Sequence, residues 1–250
     1  MEPRSEVLAG LEVQGSKIAY FACGRGLEMT REACPNTQIW LVFQGKWTET
    51  QARKSRLLAV AEAVAYAPKE PCRRTAEEPI LALSVQIPRN VGLHSRQSLK
   101  WEQIRALWQL AHHVGESHSD PFIIEELLLN FEPSQPNRLS DRAPTWALRA
   151  RDIVHDEVDN LPCLSSLAGR VGISPNHLCA QFRRSFGQTL SQYARRLRLN
   201  RAIVELGGSK VDDIPIWAEA GFFDASHFWQ SCRKEIGLTP REIHLAMQRP

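Results

Sequence analysis

An internal repeat in the last third of this 250-residue chain limits the folds open to it more than any other feature. The pattern of residues 177–189, His-Leu-x-x-x-Phe-Arg-Arg-x-Phe-Gly-x-Thr, returns at residues 227–239 as His-Phe-x-x-x-Cys-Arg-Lys-x-Ile-Gly-x-Thr. Upstream, the pattern of residues 167–173 returns at residues 216–222, so the second copy carries one extra residue in its turn. Each copy predicts a short helix, a turn with a glycine and a second helix, which is the helix-turn-helix arrangement.

The second helix of each copy has one apolar face and one face free to enter a DNA groove. In the first copy Leu178 and Phe182 lie one turn apart and point toward the core. The opposite face is predicted to contact a major groove of DNA. The residues predicted to contact DNA are Asn176, Cys179, Ala180, Arg183, Arg184, Arg195 and Arg198 from the first part, and Ala225, Ser226, Trp229, Gln230 and Arg233 from the second.

Helix caps and a spacer complete the repeated unit. Ser174, Asp224 and Thr239 are predicted N-caps, and Thr239 with Glu242 makes a capping box. A long helix over residues 190–206 separates the copies. Such a spacer can set two recognition helices about 34 Å apart, so that one monomer would read two adjacent major-groove segments.

Charge is distributed unevenly between the two copies, although the whole chain has a formal charge of only +3. Residues 161–210 hold eight basic residues against one acid, a net charge of +7. Residues 211–250 hold four basic residues against six acids, a net charge of −2. A basic face alone is compatible with a solvated helix surface, but on a helix-turn-helix scaffold it indicates nucleic-acid binding.

Residues 146–247 resemble the DNA-binding domain of AraC/XylS-type bacterial transcription regulators. The resemblance rests on Leu167-Ala168, Gly172-Ile173-Ser174-Pro175, Leu178, Phe182, Arg198-Leu199, Ala202, Gly221-Phe222, Ser226-His227-Phe228 and Gly237-Leu238-Thr239-Pro240. It implies a seven-helix domain with two helix-turn-helix units. A plain helical bundle or helical repeat protein is the alternative, and two copies in register with caps and a basic face disfavour it.

Four positions depart from this family's pattern. The family often has arginine at the positions of Ala180 and Gln230, a small residue at Trp217 and a core aromatic at Cys232. Together with the charge difference, these departures predict that the first unit supplies most of the affinity for DNA, because affinity comes largely from neutralised phosphates.

The part before residue 100 reads as short strands. Apolar runs over residues 38–43, 57–60, 63–67 and 80–87 are separated by Gly and Pro, as in a small sandwich or barrel. Residues 38–73 resemble the cupin-like sensor domain that commonly precedes this DNA-binding domain. Residues 101–111 and 123–131 follow the period of a helix. The predicted fold is α+β, with a cupin-like β-barrel sensor domain (1–95), a helical dimerisation or cover segment (96–131), a linker (132–145) and a double helix-turn-helix domain (146–250).

Trp40, Trp47 and Tyr66 are the candidate effector pocket, although aromatic residues in such a domain are more often simply core. The His-x-His pair of catalytic cupins is absent, so we expect no metal, no cofactor and no catalytic residue. His112 and His113, adjacent on a helix, are interpreted as ordinary surface histidines. Thiol sensing at Cys179 is a further hypothesis, and a small tolerated residue is the more economical interpretation.

The remaining sequence features restrict the function classes. No apolar run approaches the ~20 residues of a membrane span, the N-terminus lacks the apolar core of a signal peptide, and six scattered cysteines fit a reducing compartment. We therefore expect a cytoplasmic bacterial transcription regulator that binds double-stranded DNA. Other candidate partners are a small-molecule effector, RNA polymerase and a second copy of the chain. Two alternatives stay open: an interaction protein with degenerate DNA-binding units, and a cupin enzyme fused to a DNA-binding module.

Overall fold

The computed structural model describes residues 5–31, 34–51, 54–93, 99–114, 116, 120–131, 143–158, 160–208 and 216–248. The described chain begins with nine strands. They are β1 (Ser5–Val13), β2 (Ser16–Cys23), β3 (Glu28–Arg31), β4 (Thr37–Gln44), β5 (Trp47–Gln51), β6 (Lys54–Leu58), β7 (Ala63–Tyr66), β8 (Cys72–Ala76) and β9 (Ile80–Ile87).

These strands form two antiparallel sheets, ordered β1-β2-β9-β4-β7 and β3-β8-β5-β6. Without the edge strand β1, each sheet contributes four strands to a double-sheet jelly roll, the architecture that cupins use. The predicted cupin-like α+β fold is therefore confirmed, with the strands in two sheets. The centre of the larger sheet is apolar on both faces, since the consecutive residues Leu41 and Val42 of β4 point to opposite faces and both are fully buried.

The apolar runs in the sequence correspond to four of these nine strands, and the other five strands were not predicted. Strand β6 begins three residues before the predicted run and ends at Leu58. Strands β5 and β8 alternate more and less buried residues and carry polar side chains, as in Trp-Thr-Glu-Thr-Gln of β5. A search for continuous apolar runs does not find them, because only every second residue faces the core. Strands β1 and β3 are mostly exposed or half-buried, so they have no apolar run. Strand β2 does contain an apolar run, at residues 18–23, which was overlooked in the sequence.

Two helices follow the sheets, as predicted. They are α1 (Trp101–Val114) and α2 (Pro121–Leu129), whose N-cap Asp120 accepts a hydrogen bond from the Phe122 amide at 2.9 Å. Helix α1 packs on the larger sheet, where the Tyr20 hydroxyl oxygen lies 3.0 Å from the Ala111 carbonyl oxygen. The predicted linker at 132–145 lies mostly outside the described residues.

The described residues from 145 to 248 form the seven helices that the family resemblance implied. They are α3 (Thr145–Asp156), α4 (Leu164–Val171), α5 (Pro175–Phe186), α6 (Leu190–Gly208), α7 (Ile216–Glu219), α8 (Ala225–Glu235) and α9 (Pro240–Gln248). In the part of the chain that the structure describes, no helix is long and apolar enough to cross a membrane.

The chain divides into two compact units. Unit 1 holds the described residues of 1–133, 203–214 and 232–250, and unit 2 holds those of 134–202 and 215–231. Within unit 1 the last helix packs on the β domain. The Tyr20 hydroxyl donates to the Ala246 carbonyl at 2.8 Å, and the Gln44 amide donates to the Met247 carbonyl at 2.8 Å. Helix α8 thus begins in unit 2 and ends in unit 1.

Candidate nucleic-acid interface

The first helix-turn-helix consists of α4, a tight turn and α5. Gly172 ends α4 with a φ of 77°, a left-handed conformation that glycine adopts without a Cβ clash. The Ile173 amide then reaches back to the Ala168 carbonyl at 3.0 Å. Ser174 starts α5 by accepting a hydrogen bond from the His177 amide at 3.4 Å, and Pro175 takes the first helical position. The predicted cap and turn are confirmed.

Helix α5 turns one face to the core and one to solvent, as its spacing predicts. Leu178 and Phe182 are fully buried, and the Phe182 ring lies 5.7 Å from that of Tyr193 on α6. The opposite face is exposed along its whole length. It carries the predicted contact residues Asn176, Cys179, Ala180, Arg183 and Arg184.

The second helix-turn-helix repeats this backbone geometry in α7 and α8. Gly221 has a φ of 74°, and the Phe222 amide donates to the Trp217 carbonyl at 2.8 Å. The Asp224 carboxylate accepts from the His227 amide at 2.7 Å and so caps α8. These bonds occupy the positions of their counterparts in the first copy, which explains why the repeat is visible in the sequence.

The solvent face of α8 is chemically unlike that of α5. Phe228 and Cys232 point inward, and burial raises the pKa of the Cys232 thiol to about 12. Outward lie the predicted contact residues Ala225, Ser226, Trp229, Gln230 and Arg233. Trp229 keeps 46% of its surface in solvent, a large value for an indole.

Phe223 was not among the predicted contact residues. It sits in the turn just before the Asp224 cap and is 89% exposed, whereas its neighbour Phe222 is buried. The signal was present in the sequence, since two adjacent aromatic residues in a tight turn cannot both face the core. Phe223 and Trp229 give the second unit an exposed aromatic surface that the first unit lacks.

The basic residues of the first unit differ in how far they are available to DNA. The side chains of Arg183 and Arg184 have no hydrogen-bond or ion-pair partner among the described residues. Arg170 is engaged by Glu157 in two hydrogen bonds of 2.7 Å, and this pairing holds the pKa of that carboxyl below its ordinary value. The formal charge of the first unit is therefore larger than the number of cationic side chains that are available to a DNA phosphate.

Two further predicted contact residues, both on α6, are half-buried. Arg198 donates to the Val158 carbonyl at 3.2 Å and packs beside Gly221, so its guanidinium ties α6 to neighbouring turns. Arg195 lies on the same helix and is also only partly exposed. Lys210, counted in the basic window, lies outside the described residues.

Each copy ends in a capping box, and the two boxes differ in charge. In the first copy Gln192 accepts from the Thr189 amide at 2.9 Å, and the Thr189 hydroxyl accepts from the Gln192 amide at 3.2 Å. In the second, Glu242 accepts from the Thr239 amide at 2.6 Å, as predicted. The Glu242 carboxylate also lies 4.0 Å from Arg233. Burial raises the pKa of Glu242, but the hydrogen bonds from Thr239 and the charge of Arg233 bring it below its ordinary value.

The three predicted effector-pocket residues come together inside the β domain. Trp40, Trp47 and Tyr66 are all buried around Arg74, whose guanidinium carbon lies 4.9, 5.5 and 4.4 Å from their ring centroids. The Arg74 Nε donates to the Tyr66 hydroxyl at 3.2 Å, and that hydroxyl donates to Glu49. Burial raises the pKa of Tyr66, so its hydroxyl stays a donor.

Sequence reasoning missed Arg74, the centre of this cluster. Strand periodicity was the available signal, because the alternation of β8 places Arg74 on the same face as Cys72 and Ala76. Three donors of the cluster are buried without a hydrogen-bond partner among the described residues. They are Trp40 Nε1, Trp47 Nε1 and Arg74 Nη2.

The interpretation of His112 and His113 as ordinary surface histidines was wrong. Both are half-buried near the end of α1, and their ring centroids are 5.6 Å apart. Both line one cavity, which is formed by α1, α2 and the end of α8 with the turn that follows it. Burial and the neighbouring His112 lower the pKa of His113. Within the described ranges no group of three or more His, Cys, Asp or Glu side chains is arranged to hold a metal ion.

Comparisons with known proteins agree with the geometry of this region. A family model described as a helix-turn-helix domain matches residues 167–244. The melibiose operon regulatory protein of Escherichia coli K12 is 24% identical over 127 residues, which are 50% of this chain and 42% of that protein. The same regulator from Escherichia coli O6:H1 matches equally. The chain thus spans under half the length of these relatives, and the predicted AraC-type domain is confirmed.

Solved structures similar to this chain include ToxT from Vibrio cholerae. That match covers 93% of this chain and 99% of ToxT, with 10% identity and a TM-score of 0.41. The Cupin_2 domain of an XRE family transcriptional regulator from Enterobacter cloacae matches 34% of this chain and 95% of its own length, with 12% identity and a TM-score of 0.30.

Proposed function

We propose that this chain, whose residues 167–244 are an AraC-type helix-turn-helix domain, is a sequence-specific DNA-binding transcription regulator. The observation that carries the proposal is the duplicated unit itself. Each copy has a left-handed glycine turn, a side-chain cap and a recognition helix whose outer face is solvent-exposed. A helix held in this way is what a major groove admits.

The two outer faces suit different kinds of contact. On α5, Arg183 and Arg184 offer guanidinium groups to phosphates, and Asn176 offers an amide to a base edge. On α8, Gln230 can pair with adenine, while Trp229 and Phe223 offer apolar surface to thymine methyl groups. We therefore propose that α5 supplies more of the affinity and α8 more of the preference for particular bases.

Selection from a random DNA pool with the full chain tests this proposal. We expect enrichment of a site with two half-sites about 10 base pairs apart, since two recognition helices on one monomer would enter successive major grooves. The double variant Arg183→Ala/Arg184→Ala should lose most binding. The matched control Arg25→Ala/Arg73→Ala, which alters two exposed arginines of the β domain, should bind as the unaltered protein does. Failure of the unaltered protein to enrich any sequence would refute the proposal.

A second candidate is an interaction protein whose DNA-binding units have degenerated. It is motivated by the approach of Glu242 to Arg233 and by the uncharged Ala180 and Gln230. Such a protein would retain only weak, salt-sensitive binding that does not depend on sequence. The pool selection separates the two candidates, because the degenerate protein gives no enriched motif.

We further propose that an effector acts through the β domain, at the cluster of Trp40, Trp47, Tyr66 and Arg74. Buried donors without an acceptor are costly, so a ligand oxygen placed among them would be stabilising. Trp47→Phe keeps an aromatic ring and removes the indole N–H donor. In a thermal-shift screen of oxygen-rich metabolites, we expect any stabilising compound to lose its effect on this variant. A compound that stabilises both proteins equally would place the effector elsewhere.

Partners beyond DNA also belong to the proposal. A second copy of the chain is one, because Phe122 and Leu129 leave 79% and 61% of their surfaces in solvent on α2. RNA polymerase is another, as the target through which a bound regulator would act. Light scattering at several concentrations, with Phe122→Ser/Leu129→Ser as the comparison, tests the homodimer.

A further inference from the structure

The turn of the second helix-turn-helix contains one residue more than the turn of the first. In the first unit a single residue, Ile173, separates the turn glycine from the N-cap, whereas in the second unit Phe222 and Phe223 occupy this interval. Phe222 takes the place of Ile173, because the amide of each donates to the carbonyl five positions earlier. Phe223 is therefore the extra residue of the second copy.

Phe223 takes no part in the packing of this unit. The ring of its neighbour Phe222 lies 5.2 Å from that of Phe228 and 5.4 Å from that of His227, and these contacts hold the start of α8. Phe223 is almost fully exposed and makes no ring contact in the described part of the chain. Its apolar surface gains nothing from folding and is available to a partner.

Phe223 and Trp229 lie where a recognition helix approaches base edges. The N-terminal residues of such a helix are the ones that contact bases in the major groove. Phe223 directly precedes the N-cap of α8, and Trp229 lies in the second turn of that helix with nearly half its surface in solvent. Ser226 and Gln230, also exposed on α8, are polar and uncharged. This surface therefore offers apolar area and neutral hydrogen-bonding groups.

The charges around the two aromatic residues disfavour phosphates as their target. Residues 215–231 contain two acids, Glu219 and Asp224, and no lysine or arginine. Affinity for phosphates comes from lysine and arginine, so this segment has little to offer the DNA backbone. In the major groove the apolar feature of a base pair is the C5 methyl group of thymine. The two aromatic side chains match that group in polarity.

We infer that Phe223 and Trp229 contact the C5 methyl group of a pyrimidine in one half-site, so that DNA binding responds to cytosine methylation. The inference deepens the proposed function and rests on it. 5-Methylcytosine carries its methyl group at the ring position of the thymine methyl, and both groups project into the major groove. On the outer face of α5 the comparable apolar group is the small side chain of Ala180. The half-site of the second unit should therefore depend more strongly on the methyl group.

The Asp224 carboxylate bears on which pyrimidine supplies the methyl group. Oδ1 accepts from the His227 amide at 2.7 Å, and Oδ2 has no hydrogen-bond or ion-pair partner among the described residues. A carboxylate oxygen can accept from the N4 amino group of cytosine, whereas O4 of thymine is itself an acceptor. We therefore expect methylated cytosine to be the stronger source, and the experiment treats the two pyrimidines separately.

The test scans the selected DNA one base pair at a time with the full chain. Every base pair contains one pyrimidine. Each thymine is replaced by uracil, which lacks the methyl group, and each cytosine by 5-methylcytosine, which gains it. Gel-shift titration gives the affinity for each duplex. In one half-site we expect uracil to weaken binding, or 5-methylcytosine to tighten it, by about fourfold, the factor that burial of one methyl group supplies.

Variants assign the methyl effect to the aromatic residues. Phe223→Ser/Trp229→Ser should bind the methylated and unmethylated duplexes equally. Phe223→Leu keeps an apolar side chain and should retain most of the effect. Leu57→Ser alters an apolar residue of β6 that is more than half exposed, so it is the matched control and should show the full effect. Thermal unfolding checks that each variant is folded.

Two results would overturn the inference and leave the proposed function intact. One is equal affinity for all duplexes of the scan, and the other is a methyl effect that survives Phe223→Ser/Trp229→Ser. In both cases the protein would still bind its selected sequence. Failure to select any sequence would instead overturn the proposed function, and this inference with it.

Discussion

The two helix-turn-helix units have the same backbone geometry and differ in the side chains around it. Gly172 and Gly221 make the same turn, and Ser174 and Asp224 cap the same position of the following helix. Helix α5 lies wholly in unit 2, whereas α8 ends in unit 1, beside the cavity. Duplication therefore preserved the geometry that presents a helix, while the neighbouring side chains diverged. The predictions below test how far that difference extends, from the largest expected effect to the smallest.

The largest expected difference between the two units is in how much their equivalent core residues contribute to the free energy of unfolding. Phe182 and Cys232 occupy equivalent, fully buried positions. Phe182→Ala should lower the free energy of unfolding by about 3–5 kcal/mol through the cavity it leaves, and Cys232→Ala by only about 1 kcal/mol. Urea unfolding followed by circular dichroism measures both, with the exposed Cys179→Ala as a control of less than about 0.5 kcal/mol. Equal losses at Phe182 and Cys232 would contradict the comparison.

Phosphate contacts should be unequal. The Arg183 guanidinium has no hydrogen-bond or ion-pair partner among the described residues, while that of its equivalent Arg233 lies 4.0 Å from the Glu242 carboxylate. Arg183→Ala should weaken DNA binding about five- to tenfold at 0.1 M salt and reduce the salt slope by about 1. Arg233→Ala should cost less, because Glu242 already offsets its charge. Gel-shift titrations over a range of salt concentrations decide this, and a larger loss at Arg233 would reverse our ordering.

Exchanging the charges of the two capping boxes should make the two helix-turn-helix units more alike in their contribution to DNA affinity. Glu242→Gln keeps the hydrogen bond to Thr239 and removes the negative charge beside Arg233, so DNA binding should tighten about twofold to fourfold. Gln192→Glu introduces the same charge into the first unit and should weaken binding by a similar factor. Thermal unfolding checks that the caps survive. If neither exchange alters affinity, the charge of the capping box does not explain the asymmetry.

Thiol reactivity should give the smallest effect. Cys179 is exposed, whereas burial raises the pKa of the Cys232 thiol to about 12, so this thiol stays protonated near neutral pH. In a Cys163→Ser background, iodoacetamide should label Cys179 and spare Cys232, as peptide mapping would show. The label on Cys179 should reduce DNA affinity by adding bulk to the outer face of α5. Labelling without any loss of affinity would end the thiol-sensing hypothesis.

Local features of the fold could be predicted from the sequence. The glycine turns, the caps at Ser174 and Asp224 and the inward positions of Leu178 and Phe182 follow from neighbours within about one helical turn. Such neighbours are adjacent in the chain, so their pattern is legible without a structure. For the same reason the helical segments were recognised more completely than the strands.

The accessible cations could not be predicted in this way. Arg170 pairs with Glu157 thirteen positions earlier, and Arg198 reaches the carbonyl of Val158 forty positions away. A count of charges along residues 161–210 treats these arginines like Arg183. Only the packing of separate helices shows which guanidinium groups are already occupied.

The sequence by itself determined that this chain repeats a capped helix-turn-helix and that its two recognition helices have apolar inner faces. Tertiary structure decided which charges remain free, that Arg74 joins Trp40 and Trp47 in one cluster, and that the end of α8 lines a cavity. The physical reason is distance along the chain. Caps and faces depend on residues a few positions apart, whereas ion pairs, buried cations and cavities arise where segments far apart in sequence come into contact.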